Sequence, residues 1–270
     1  MKSLVCFCSL LLMLAEQSCI SQNGKRSCMI TREPVVAGRF YPSSEIELRN
    51  SLTDYFNHVK PYNVEGTVRA IIVPHAGYVF SGEVAAHGFS QVPKDKVFDN
   101  IFVLGSSHYA YFDGASIYSL GNYQTPLGEV KVNVDLANEL IDNHPYFSFN
   151  PEAHKKEHSL EVQMPFIQSH FKTVPTVVPM VIGTQQLSTI EKIAKALEPY
   201  FNENNLFIIS TDFSHFPPYE DAIKADENTA NAIIKNDSRE FLKAIKENKK
   251  QNFENLQTRS EEHTSELQSL

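Results

Sequence analysis

The sequence predicts an α/β fold, layered α/β/α around a mainly parallel central sheet, and three observations predict it. Apolar runs at residues 68–73, 101–104 and 206–209 are short and rich in β-branched residues, as strands covered on both faces should be. After Cys28, strand-like and helix-like patterns alternate, which favours crossover units over a sandwich or a bundle. Each of the three runs also leads directly into a segment bearing a histidine: Pro74-His75-Ala76-Gly77-Tyr78, Gly105-Ser106-Ser107-His108-Tyr109 and Ser210-Thr211-Asp212-Phe213-Ser214-His215. In an open α/β sheet the ligand crevice lies beyond the carboxyl ends of the strands, so these segments are expected to converge on one site.

The first residues read as a targeting segment. Lys2 precedes an apolar stretch, residues 4–15, that is too short to span a bilayer and has the make-up of a signal-peptide core. Residues 1–21 are therefore expected to be a signal peptide and the protein to be exported, either periplasmic or lipid-anchored. Cys19 stands where a lipoprotein signal carries its lipidated cysteine, and Glu16 where such signals carry leucine, so lipidation and plain secretion both stay open. All four cysteines, Cys6, Cys8, Cys19 and Cys28, lie in this region, which leaves the body without a disulfide framework or a thiolate metal cluster.

A single domain is expected over residues 29–258, with no internal repeat or low-complexity linker. Ser44 with Glu47, Ser188 with Glu191 and Asp237 with Glu240 have capping-box spacing or its aspartate variant, and each opens an apolar pattern of helical period. Further helices are expected at 82–89, 134–141, 158–170 and 219–235, and further strands at 115–118 and 176–182. Residues 259–270 are polar and resemble the in-frame translation of a sequencing-library adapter. They are expected to be non-native, and His263 is not counted as a ligand. The net charge of −8, with no basic block, argues against a nucleic-acid partner and leaves a lipid anchor as the one expected membrane contact.

The candidate site follows from the three segments. Pro74 and Ala76-Gly77 make the chain turn sharply at the end of its strand while leaving His75 accessible, and His108 occupies the matching place after its own strand. Two histidines so placed suit metal ligation. Asp212 and His215 are three residues apart, close enough for a carboxylate to orient an imidazole as a general base or as the support of a metal site. Asp212 could equally start the next helix as its N-cap. His158 and Glu161, in Glu157-His158-Ser159-Leu160-Glu161, share a helix face at i, i+3 spacing and could support a metal or take up protons, or simply form a solvated helix start. Tyr78 and Tyr109 beside the two ligands could be acids or packing residues. Ser107 and His108 are adjacent and point to opposite sides, a poor nucleophile–base pair. No glycine-rich or Walker-type nucleotide loop is present.

Taken together, Arg39-Phe40-Tyr41-Pro42, Pro74-His75-Ala76-Gly77-Tyr78, Gly105-Ser106-Ser107-His108, Glu157-His158-Ser159-Leu160-Glu161 and Ser210-Thr211-Asp212-Phe213-Ser214-His215 resemble the Memo family, in order, from about Arg32 to Thr258. Tyr123-Gln124-Thr125-Pro126-Leu127-Gly128 also resembles a family segment. The resemblance implies a fold similar to class III extradiol dioxygenases, with a metal site at the carboxyl ends of the strands. Family members bind iron or copper through two histidines and a cysteine. His75 and His108 match those histidines, and Asp212 and His215 match the aspartate and histidine beside the metal. The cysteine has no counterpart before the suspect tail, so a C-terminally incomplete domain and an incomplete metal site are expected.

Bacterial relatives often accompany a radical-SAM protein in an AmmeMemoRadiSam system. Export would separate this chain from such a partner, whose reduced clusters belong in the cytosol. The leading expectation is a redox protein in which His75 and His108 hold Fe(II) or copper while His215, oriented by Asp212, transfers protons. A non-catalytic protein binding a peptide or small molecule in the same crevice, and a zinc-dependent hydrolase, are the alternatives.

Overall fold

The computed structural model describes residues 19–22, 25–60, 62, 64–215 and 217–250. The expected signal segment up to Ser18 and the expected tail at 259–270 lie outside the described residues. Strands β1 (Cys19–Gln22) and β2 (Lys25–Cys28) pair antiparallel. Among the described residues no helix is long and apolar enough to cross a membrane.

The body alternates as expected. Helix α1 (Glu45–His58) leads to β3 (Ala70–Val73), α2 (Tyr78–Phe89), β4 (Asn100–Ser106) and β5 (Ala115–Ile117). A small hairpin of β6 (Tyr123–Thr125) and β7 (Gly128–Val130) follows, then α3 (Val134–Asn143), β8 (Phe147–Ser148) and α4 (Pro151–Lys155). A 3-10 turn at Glu161–Gln163 runs into α5 (Met164–His170), and β9 (Thr176–Ile182), α6 (Leu187–Leu197), β10 (Asn205–Ser210), α7 (Tyr219–Ile234) and α8 (Ser238–Lys250) complete the order.

The main sheet has six strands in the order β3-β10-β4-β9-β5-β8, parallel throughout except where β5 runs antiparallel to β9. Successive side chains of a strand face opposite ways, so the continuous apolar runs fill two cores at once. On β4, Ile101 and Val103 join the core beneath α1, α2 and α5, while Phe102 and Leu104 join the one beneath α3 and α6. Leu206 and Ile208 of β10 divide from Phe207 and Ile209 in the same way.

Three expectations about helix starts are corrected. Helix α2 begins at Tyr78, a turn before residue 82, because the Tyr78 ring is buried and its hydroxyl donates to the Val162 carbonyl at 2.6 Å. The cap of α6 is Gln186, so Ser188 lies inside the helix; Thr184 Oγ1 accepts from the Gln186 N–H at 3.1 Å and forms the turn instead. Residues 158–170 are not one helix. The chain turns at Ser159-Leu160, and Pro165, which lacks an N–H, sits in the first turn of α5. Ser44 and Asp237 do cap α1 and α8, accepting from Glu47 N–H at 3.5 Å and from Arg239 N–H at 2.8 Å.

Candidate metal centre

Strands β3, β10 and β4 are immediate neighbours, and their register sets Val73, Ser210 and Gly105 level across the sheet. His75, Asp212 and His108 lie two or three residues beyond that line, so the three segments emerge side by side. The ring centroids of His75 and His108 are 5.2 Å apart. His158 joins them, 4.3 Å from His108 and 5.5 Å from His75. One ring nitrogen from each of the three lies within 4.8 Å of the others, so this buried group could hold a metal ion. Two metal–nitrogen bonds of ~2.0–2.1 Å span at most ~4.2 Å, close to the limit within which the three nitrogens lie.

Hydrogen bonding fixes how the rings face. The Ser159 carbonyl can only accept, so the Ser210 hydroxyl donates to it at 2.6 Å. Ser210 Oγ then accepts from His75 Nδ1 at 3.1 Å and from Gln163 Nε2 at 2.8 Å. His75 therefore carries its proton on Nδ1 and offers the lone pair of Nε2. His108 Nδ1 meets Glu157 Oε1 at 2.7 Å, which assigns that proton the same way and turns Nε2 outward. Glu157 Oε1 also accepts from the N–H of His158 and Ser159, each at 3.0 Å, and Oε2 from the N–H of His108 at 2.8 Å.

The electrostatics suit a ligand set. Burial pushes His75 below its ordinary value, against the pull of Asp212. Burial, with the neighbouring His108, pushes His158 down to about 3, so the ring is neutral and able to donate a lone pair. Burial alone would raise Glu157, but the hydrogen bonds from His108 and from backbone N–H groups outweigh it and hold the carboxyl at about 2.

Asp212 bridges. Its Oδ1 accepts from the His75 N–H at 2.7 Å, and its Oδ2 lies 3.8 Å from His75 Nε2 and 3.5 Å from His215 Nε2. His215 Nδ1 donates to the Phe213 carbonyl at 2.9 Å, which leaves Nε2 facing the carboxylate. Asp212 does not begin a helix, since α7 starts seven residues on at Tyr219 with Pro218 as its cap.

The expectation that His158 and Glu161 share a face is overturned, as is the solvated helix start. His158 enters the imidazole cluster, whereas Glu161, fully buried, turns away to pair with Arg32 at 2.7 Å and to accept from Tyr41 and from the N–H of Val35 and Val36. Tyr78 is a packing residue, with burial raising its pKa well above the ordinary value. Tyr109 stands more than half exposed at the mouth, 6.3 Å from His108. Ser107 Oγ donates to the Ala110 carbonyl at 2.7 Å. Sequence reasoning passed over Glu157, Ser210 and Arg32. Only Glu157 left a signal, as a carboxylate directly before a histidine.

The profile of the Memo-like protein family matches residues 32–259. A MEMO1 family protein of Sulfurisphaera tokodaii is 31% identical over 229 residues, covering 80% of this chain and 81% of that protein. Relatives of the same description in Thermoplasma volcanium and Aquifex aeolicus are 34% and 33% identical; the aligned parts cover 79% and 82% of this chain and 78% and 81% of those proteins. A solved structure, an uncharacterized protein from Escherichia coli K12, aligns at 17% identity with a TM-score of 0.39, covering 54% of this chain and 62% of that one. The ordered motifs, the profile match and these relatives agree, and the chain belongs to the Memo-like protein family.

Proposed function

We propose that this chain is a metal-dependent redox protein that holds Fe(II) or copper on His75, His108 and His158. The observation that carries the reading is the buried imidazole cluster, with two of its rings held in one tautomer by Glu157 and Ser210. Bound there, the metal supplies one-electron chemistry and open coordination positions for oxygen or a small organic substrate. His158 takes the third place, which the family resemblance gives to a cysteine. Glu157 holds His108 in orientation through its Nδ1. Asp212, between His75 and His215, is placed to hold a proton delivered to His215 Nε2 and so to move protons to or from a bound reactant.

A second reading is zinc-dependent hydrolysis, because three imidazoles also suit Zn²⁺ with an activated water. Reconstitution with Fe(II), Cu(I) and Zn²⁺, followed by metal analysis and oxygen uptake in the presence of reductant, separates the two. Near-stoichiometric iron or copper with oxygen uptake, both lost in the His75→Ala His108→Ala variant, is the expected result. Ester or amide hydrolysis with zinc alone would select the hydrolase. Equal metal content in wild type and variant would remove the site and favour a non-catalytic peptide or small-molecule binding protein. Export on residues 1–21 is part of the same proposal, and cell fractionation with a label at the chain end tests it; a cytosolic product would reinstate a radical-SAM partner.

A further inference from the structure

We propose that Arg32, some 120 residues away in sequence, is the positioning residue that sets His158 against the His75–His108 pair; this rests on the metal-centre reading above. Its backbone is fixed first. The Arg32 N–H donates to the Asn122 carbonyl at 2.7 Å, its own carbonyl accepts from Gln124 N–H at 2.8 Å, and its guanidinium lies over the Tyr123 ring at 4.9 Å. From that anchor the planar fork reaches three points on one loop. Nη1 donates to Glu161 Oε2 at 2.7 Å, Nε to the His154 carbonyl at 3.0 Å and Nη2 to the Glu157 carbonyl at 2.7 Å.

Residues 154–161 are thus clamped at both ends and in the middle, and the middle point is the residue that grips the site. Glu157 is held from outside by its carbonyl, on Arg32, while its carboxylate reaches inward to His108 and to the N–H of His158. A buried cation that merely neutralised Glu161 would need one of these contacts, not all three. Only guanidinium has the rigid set of donors for the whole pattern; an ammonium can keep the ion pair but cannot bridge to two carbonyls in a fixed plane.

Arg32→Lys in the full chain tests this, with the double variant Arg32→Gln Glu161→Gln, which leaves no buried charge unpaired, should the lysine protein fail to fold. The first readout is Co²⁺ binding followed by its visible absorption, and a 10- to 100-fold weaker affinity than wild type is expected, the usual consequence of loosening the groups that orient ligands. The second needs no metal: the hydrogen-bonded His108 Nδ1 proton in an imidazole nitrogen–proton spectrum should broaden or exchange faster in the variant. Wild type without Co²⁺ binding, but with that proton lost in the variant, would sink the metal reading and leave the positioning role standing. A variant that melts earlier yet binds Co²⁺ as wild type does and keeps the His108 proton would overturn the proposal, since Arg32 would then support only the fold.

Discussion

Replacing Glu157 by glutamine should destabilise the metal-free protein by about 3 kcal/mol, although the two side chains have nearly the same shape. Every group that meets this carboxylate is a donor: His108 Nδ1 and the N–H of His158 and Ser159 on Oε1, and the N–H of His108 on Oε2. An amide cannot satisfy that set. With its oxygen in the Oε1 place, its NH2 confronts the His108 N–H; reversed, it confronts three donors. A hydrogen bond to a charged partner contributes ~1.5–3 kcal/mol, and one such bond is lost while two donors are set against each other. The proton affinity leads to the same figure. A carboxyl held at about 2 rather than 4.5 favours the charged form in the fold by roughly 3 kcal/mol, at ~1.36 kcal/mol per factor of ten. Because the chain has no tryptophan, urea unfolding at pH 7 is best followed by far-UV circular dichroism. A loss of less than ~0.5 kcal/mol would show that the side chain is not the charged acceptor of four donors, and the account of how His108 is oriented would fail with it.

Acid should weaken the metal-free fold in two stages. His158 at about 3 against 6.5, and Glu157 at about 2 against 4.5, both have depressed values. Between each pair of values the unfolded chain binds more protons than the fold, so their contribution is complete above about pH 6.5 and declines on acidification, first through His158 and then through Glu157. Unfolding free energies between pH 7 and pH 3 check this, and a rise in stability on acidification would contradict it. Gly105→Ala should cost about 1–3 kcal/mol and weaken metal binding, because a Cβ there would stand 2.4 Å from Ser159 Oγ and push on the turn after His158; an alanine variant with unchanged melting and metal content would refute the close packing. His158→Ala should lose bound metal, whereas His215→Ala should keep the metal and lose proton-dependent turnover; the reverse pattern would exchange their roles. Arg49→Ala, breaking an exposed helical ion pair with Glu45, should change stability by less than ~0.5 kcal/mol by the same denaturation assay.

The sequence by itself determined the layered fold and much of the site's membership. Short β-branched runs, each closing on a histidine, read as buried strands with a candidate site at their carboxyl ends, and the motifs in order carried the family. What one dimension could not supply was adjacency. That β3, β10 and β4 lie next to one another is a choice of strand order, and it is what brings His75, Asp212 and His108 within reach. Direction was equally hidden. The i, i+3 spacing of His158 and Glu161 suggested a shared face, but a turn at Ser159-Leu160 sends one side chain to the imidazole cluster and the other to Arg32. Charged residues in a polar stretch read as solvated because burying a charge is costly. Glu157 and Glu161 are buried because partners distant in sequence, His108 and Arg32, offset that cost, and only the tertiary structure brings such partners together.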